Sequence, residues 1–478
     1  MNNWPSNPII YEINTPVWLS DLSRTQKREV TLGTVPPEVW NELAEMGFDA
    51  IWFMGVWQRS AEGVRISSRH ESLRHEFITA LPDFTPADNL GSAYCIQAYS
   101  VDERWGGRLG LAEARRQLAS RGLRLLLDYV PNHVARDHEW VLEHPEYFIP
   151  GSRKDLMNAT REYFESAGRV IACGKDPNYP AWEDVAQVNA FNPGYRLAAR
   201  AALLEIASQC DGVRCDMAML LLDRIFASTW RDKAGSALPT TFWREVIGAT
   251  RRQYPGFLFI AEAYWGTEPE LVQEGFSYCY DKEFYDQLKQ DDIKGIAGTL
   301  ARAGAQPRTV RFIENHDEAR AATAFQPDQA RAAALILATT PGARLFHQGQ
   351  MEGRTQRLPV FLRRWADMPP APGLPDFYHG LFRLMQLPAL KNGDWEFLAR
   401  VEEPCLAWVW ASPGERVYII VNYSSSPASR VLDVPFAGKL LPDAYSSAGA
   451  AVTLSAGENS LQVTLPAWGC AVARLACV

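Results

Sequence analysis

Between residues 9 and 346 the chain carries eight short apolar runs, most of them separated by stretches with helical spacing. They fall at 9–13, 50–54, 123–130, within 211–219, and at 256–262, 277–281, 310–317 and 343–346. A run that is apolar at every position, rather than at alternate positions, reads as a strand buried on both faces, as in a parallel sheet flanked by helices. The first connection shows the pattern. Pro36 and Pro37 open a helix whose apolar positions Val39, Trp40, Leu43 and Met46 follow helical spacing, and Gly47 stands where a helix C-terminal glycine belongs, just before Ala50–Met54. Eight strands alternating with helices are what a closed (β/α)8 barrel requires. The rival, an open doubly wound sheet, wants a glycine-rich phosphate loop after its first strand, and none follows Ile13.

The chain has 478 residues, too many for the barrel alone. The expected organisation is an α/β TIM barrel formed by 1–130 and 193–390, an inserted loop-rich unit at 131–192 and a C-terminal antiparallel β-sandwich at 391–478. The last expectation rests on a change of texture beyond Lys391, where alternating segments such as 408–410, 416–421 and 460–465 are divided by turn residues. Residues 58–105 read as mostly loop, long enough to suggest a functional role.

A net charge of −8 and the absence of a basic run argue against a nucleic-acid partner. No apolar run reaches transmembrane length, so no membrane partner is expected. Residues 1–10 have neither a basic start nor an apolar stretch, and the eight cysteines form no regular framework; both features suggest a cytoplasmic protein with reduced thiols. Most of the 16 tryptophans read as core, although a surplus on a cleft would suit stacking on rings. Oligomeric state is left open.

Polar residues gather at the ends of four of the strands. Asp128 closes the third, followed by Asn132 and His133; Arg214 and Asp216 close the fourth, Glu262 the fifth, and His316 and Asp317 the seventh. In a barrel these ends share one rim, where active sites sit. Arg214 and Asp216 taken alone could be a structural ion pair at a sheet edge, and an Asp/His/Glu cluster could be a metal site. A cation would be repelled by Arg214, so no metal and no cofactor is expected. Several carboxyls around an uncharged ring suit glycoside hydrolysis, which needs a carboxylate nucleophile and a protonated carboxylic acid. Arg214 would lower the pKa of Asp216 and keep it ionised, while desolvation and like charge would raise that of Glu262. His316 and Asp317 would bind ring hydroxyls, His133 could reach a hydroxymethyl, and Tyr94 could stack on a sugar face.

These motifs resemble those of the α-amylase family, glycoside hydrolase family 13: Asp128-Tyr129-Val130-Pro131-Asn132-His133, Gly212-Val213-Arg214-Cys215-Asp216, Glu262, and Glu314-Asn315-His316-Asp317. Tyr94, with Tyr99 and Val101-Asp102, is similar to the family's sugar-stacking loop, and Pro341-Gly342 to Gln348-Gly349-Gln350 to its eighth-strand segment. The resemblance implies a retaining mechanism on α-glucosidic bonds of malto-oligosaccharides or related α-glucosides, with Asp216 as nucleophile, Glu262 as acid/base, Asp317 as transition-state stabiliser, Tyr94, His133, Arg214 and His316 binding substrate, and Asp128 in support. A transglycosylase on the same site and a non-catalytic sugar- or partner-binding barrel are the alternatives.

Two departures bear on substrate and metal. Where many family members carry Lys-His after the nucleophile, this chain has Met219 and Leu220, which disfavours an ordinary endo-acting starch amylase. Where the family often has a calcium-binding Asp-Leu-Asn, it has Gln187-Val188-Asn189. Hard cations want several oxygen ligands, so no calcium is expected at that position.

Overall fold

All eight expected strands close into one parallel barrel: β1 (Ile9–Asn14), β2 (Ala50–Met54), β3 (Arg124–Tyr129), β4 (Gly212–Cys215), β5 (Leu258–Ala261), β6 (Tyr278–Tyr280), β7 (Thr309–Arg311) and β8 (Ala343–His347). The computed structural model describes residues 4–302, 308–398, 405–434, 439–441, 445–455 and 459–476; the start of the N-terminal segment, parts of the expected C-terminal unit and Cys477 lie outside them. Each strand neighbours the next in sequence, and β8 pairs with β1 to close the ring. Nearly every strand residue is buried, as the continuous apolar runs require. The helix Pro37–Glu45 ends as its sequence suggests, with Gly47 at φ 78° donating its N–H to the carbonyl of Ala44.

Register decides where the polar strand ends go. Arg214 pairs across β4 with Asp128 on β3 and with Ile260 on β5, so Asp128 and Arg214 share one layer of the barrel. Asp216 and Glu262 lie one step further toward the C-terminal rim, tied by the N–H of Asp216 to Tyr129 O and by that of Glu262 to Cys215 O. Gly212 permits this spacing. A Cβ there would stand 2.7 Å from both the Cβ and the carbonyl oxygen of Leu258, and 2.8 Å from Leu126 Cδ2.

Three sequence expectations need correction. Residues 58–105 are not mostly loop: they hold the helices Ala61–Arg69 and Glu71–Ala80, and Trp57–Arg59 pairs antiparallel with Ile96–Val101. The two helices bury only Gly63, Ser67, Phe77 and Ala80, too few apolar anchors for a visible period, although Ser60 caps the first by accepting from Gly63 N at 2.7 Å. Residues 131–192 form an antiparallel sheet in which His133–Ala135, Trp182–Gln187, Arg169–Gly174 and Pro150–Gly151 lie in that order, and Tyr163–Ser166 also pairs with Arg169–Gly174. Strands this short take their order from pairing rather than from alternation. The seventh strand stops at Arg311, so His316 and Asp317 lie on the loop beyond it rather than at its end.

Past residue 393, Asp394–Phe397, Cys405–Ser412, Glu415–Asn422 and Cys470–Ala476 form an antiparallel sheet, with a second sheet of Ala428–Asp433, Ser460–Leu465 and Ala451–Ser455. Leu461, Val463, Ile420 and Ala471 pack in the apolar layer associated with both. Trp408 and Trp410, two apart and therefore on one face, both donate their indole N–H to the carbonyl of Thr339, at 3.0 and 2.6 Å, at the end of the barrel helix Pro327–Thr339. Among the described residues no helix is long and apolar enough to cross a membrane.

Gly212→Ala is expected to force β4 away from β5, at a cost of about 1–3 kcal/mol in denaturant unfolding. An unchanged unfolding midpoint would show that the barrel accommodates a Cβ there.

Candidate active site

The Arg214 guanidinium is 1% exposed and touches three carboxyls. Nη1 donates to Asp216 Oδ1 at 2.7 Å and stands 3.7 Å from Asp128 Oδ1, while Nη2 makes an ion pair with Glu262 Oε2 at 2.8 Å. Its planar fork presents Nη1 to Asp216 and Asp128 and Nη2 to Glu262, which a lysine ammonium could not do in the same way. Three rings surround the cation, with the Tyr94, Trp52 and Tyr280 centroids at 5.0, 5.6 and 5.8 Å. Burial pushes the Asp216 carboxyl above the usual range, more than Arg214 pulls it back; the sequence expectation of a net lowering is corrected by the depth of the site. Glu262 is raised to about 7, first by burial and then by Asp216 and Asp317, against the pull of Arg214. Asp128, with neither carboxyl oxygen hydrogen-bonded, is likewise raised to about 7 by burial.

A left-handed residue positions Glu262. Met217, immediately after Asp216, adopts φ 44° and ψ 44°, a conformation uncommon for a residue with a side chain. That turn brings its N–H to Glu262 Oε2 at 2.6 Å, and Tyr264 donates its hydroxyl to Oε1 at 2.8 Å. Met219 and Leu220, at the positions of the Lys-His pair, are buried in the following turn and are not among the cavity-lining residues.

The loop after β7 supplies Asp317. Asn315 Oδ1 accepts from the N–H groups of Asp317 and Glu318, both at 2.9 Å, in a side-chain turn of the kind asparagine favours. Glu314 points elsewhere, paired with Arg320 at 2.6 Å. His316 Nε2 stands 2.9 Å from Asp317 Oδ2 and 2.8 Å from the Tyr94 hydroxyl, while Nδ1 contacts Glu12. Burial alone would lower the His316 pKa, but Asp317 and Glu12 raise it well above the ordinary value, leaving an imidazolium between two carboxylates. Burial would raise Asp317, yet His316 and Arg214 bring it down to about 2. Its side chain is 43% exposed, so this pairing is partly screened by solvent.

Tyr94, His133, Asp216, Glu262 and Asp317 all line one cavity of about 340 Å³. Arg214, Asp128 and His316 are not among its lining residues and reach it through contacts with Asp216, Glu262, Asp317 and Tyr94. Burial lowers the His133 pKa to about 4, leaving a neutral ring 5.2 Å from that of Trp182. The sequence reading missed Glu12, Asp184 and Trp182, and took Tyr264 only as a neighbour that desolvates Glu262, not as its hydrogen-bond donor. Glu12 is an acid inside an otherwise apolar strand, a signal that was available; Asp184 and Trp182 arrive on the inserted sheet, which gave none.

The position compared with a calcium site holds an amide instead. Gln187 Nε2 donates to Asn132 O at 2.9 Å, to Asn132 Oδ1 at 3.1 Å and to Val188 O at 3.1 Å. Three oxygens of the kind a hard cation would draw are taken by one neutral NH2 group, so this residue set does not fit calcium.

Residues 41–193 match the family model for the α-amylase catalytic domain. Alpha-amylase MalA of Haloarcula japonica is 25% identical over 364 residues, which is 74% of this chain and 45% of that protein. The alpha-1,4-glucan:maltose-1-phosphate maltosyltransferase of Cereibacter sphaeroides is 24% identical over 251 residues, 49% of this chain and 30% of that one. The chain thus spans less than half the length of either relative. A noncanonic maltogenic α-amylase, AmyB from Thermotoga neapolitana, shares the fold with a TM-score of 0.71 at 18% identity, covering 99% of each chain. The catalytic-domain match runs through the inserted sheet, and the barrel shares its fold with a solved α-amylase, so the chain is similar to α-amylase catalytic domains over this part of its length.

Proposed function

We propose that the chain is a retaining enzyme acting on α-glucosidic bonds of malto-oligosaccharides or related α-glucosides. The observation that carries this reading is one guanidinium, Arg214, contacting Asp216 and Glu262 through different nitrogens beside a single cavity. A carboxyl near 7 and a carboxylate near 2 in the same cavity suit an acid and a charged stabiliser.

In this reading Asp216 attacks the anomeric carbon while Glu262 gives its proton to the departing glycosidic oxygen. The covalent glycosyl-enzyme is then opened by water, with Glu262 now taking the proton. Asp317, ionised and partly exposed, faces the positive charge that develops on the sugar ring. Tyr94 and His133 hold the ring across the cavity, Arg214 and His316 orient the carboxylates that touch it, and Asp128 supports Arg214 from the neighbouring strand in the same layer. The expected products keep the α configuration, with the Asp216 and Glu262 carboxyls roughly 5–5.5 Å apart.

Transfer to a sugar acceptor shares the same intermediate. It is favoured as a second reading by a further cavity of about 1000 Å³, which meets the first at Trp182, Met217, Tyr264 and Asp317 and could seat an acceptor. A chromatographic product profile on maltose, maltotetraose, trehalose, sucrose and pullulan separates the readings. Longer products mean transfer, shorter ones alone mean hydrolysis, and no turnover of any of them overturns the proposal.

Asp216→Asn and Glu262→Gln are each expected to lower kcat by on the order of 10³-fold or more with folding retained. Most of the activity surviving in either variant would remove that residue from its role. Because the first step needs a protonated Glu262, activity should fall as pH rises through about 7. The Tyr264 hydroxyl donates to that carboxyl and favours its ionised form, so Tyr264→Phe should move the alkaline limb to higher pH, by about one unit if the bond is worth ~1.4 kcal/mol. An alkaline limb that stays put or moves down would mean that Glu262 does not set it.

A further inference from the structure

The larger cavity opens on the Glu262 side of the site. Two of the residues it shares with the reactive cavity, Met217 and Tyr264, are those that hydrogen-bond the Glu262 carboxyl. If Glu262 protonates the leaving oxygen, this is where the leaving group sits. The inference below rests on that α-glucoside reading.

The groove has an unusual charge balance. Beyond Asp317, it is lined by Asp176, Glu268, Glu283, Asp286, Asp292 and Glu318. Among the described residues lining it, the one cation is Lys282, and its ammonium is already engaged, 2.6 Å from Asp286 and 3.3 Å from Glu318. The helix Lys282–Lys289 starts at the groove and would by itself offer partial positive charge, but Asp281 caps its Phe284 N–H and Glu283 occupies its first turn. The aromatic lining is also accessible: Tyr179 and Trp265 are 69% and 46% exposed, and the more enclosed Tyr264 and Trp182 line the same cavity. Aromatic faces can pack on an uncharged sugar ring and attract an ammonium. Nothing in this lining offers a phosphate a free cationic partner, and a cleft of one sign focuses its field on whatever enters.

We propose that this groove selects the leaving group by charge, admitting a sugar that is uncharged or carries an ammonium and rejecting one that carries a phosphate. The chain would then differ in substrate class from the relative named for maltose 1-phosphate, although the two are 24% identical over 251 residues.

The test compares kcat/KM for maltotriose with that for two analogues in which C6 of the reducing-end ring bears either a phosphate or an ammonium. The bond broken is the same in all three. At low ionic strength, about 20 mM, the phosphate analogue is expected to be at least about tenfold poorer than maltotriose and the ammonium analogue at least as good, with both differences shrinking near 500 mM salt as the field is screened. The double variant Glu283→Gln/Asp292→Asn, which removes two groove charges and keeps an amide oxygen to cap Gly295, should narrow the ratio of kcat/KM for maltotriose to that for the phosphate analogue, each measured on the same variant. Equal kcat/KM for the phosphate analogue and maltotriose would overturn the charge inference alone. So would a gap that responds neither to salt nor to the double variant, since that gap would be steric. Failure to cleave maltotriose or either analogue would instead overturn the α-glucoside reading, and the charge inference with it.

Discussion

The buried Arg214 guanidinium is the interaction on which the site depends. Three carboxyls, on β3 and just beyond β4 and β5, converge on it, and without a cation among them their mutual repulsion and lost hydration would oppose folding at that layer. It does not neutralise them equally. Asp216 accepts a direct hydrogen bond at 2.7 Å, Glu262 has an ion pair offset from hydrogen-bond geometry, and Asp128 stays 3.7 Å away with its oxygens unpartnered. One charge shared unequally gives these carboxyls different environments, and chemistry that needs both an acid and a base at neutral pH depends on that difference. Burial remains the largest effect on each, which is why the net shift of Asp216 is upward despite the nearby arginine.

The barrel makes this sharing possible by fixing register. Parallel pairing puts residue 214 level with residue 128, and Gly212 lets β4 and β5 approach closely enough for the loops above them to exchange hydrogen bonds. Those bonds then hold Glu262: the left-handed Met217 turns its N–H onto the carboxyl, and Tyr264 reaches the other oxygen. On the opposite side, the Glu12–His316–Asp317 chain runs from β1 to the rim and keeps a partly exposed carboxylate ionised. The site is therefore built from both ends of the barrel sequence, closed where β8 meets β1.

Much of this was legible from residues alone. Mostly apolar runs identified the eight strands, because burial on both faces leaves little room for polar positions, and the few charged residues within them, such as Glu12 and Arg214, are buried with partners. Asp128, Arg214, Asp216, Glu262 and Asp317 stood out because charged groups beside such runs are costly unless they have a purpose or a partner. The two helices within 58–105 and the sheet within 131–192 were illegible for the opposite reason. Their strands are short, or their buried positions few and small, so pairing and packing organise them rather than any period along the chain. Trp182 and Asp184 reach the cavity on that inserted sheet, and their place in it could not be read before the sheet was seen.

The sequence by itself determined the barrel, its strand order and the carboxyls that face its rim, since these follow from hydrophobic burial and chain connectivity, both of which are local. It also determined that Met219 and Leu220 cannot act as a Lys-His pair. Only the tertiary structure decided which carboxyl each nitrogen of Arg214 holds, that the net shift of Asp216 is upward, that Gln187 fills with an amide the place compared with a calcium site, and that an acidic, aromatic groove opens beside Glu262. Each of those depends on distances of a few ångström between residues far apart in the chain, and electrostatic interactions at that range are set by position and burial, which composition does not encode.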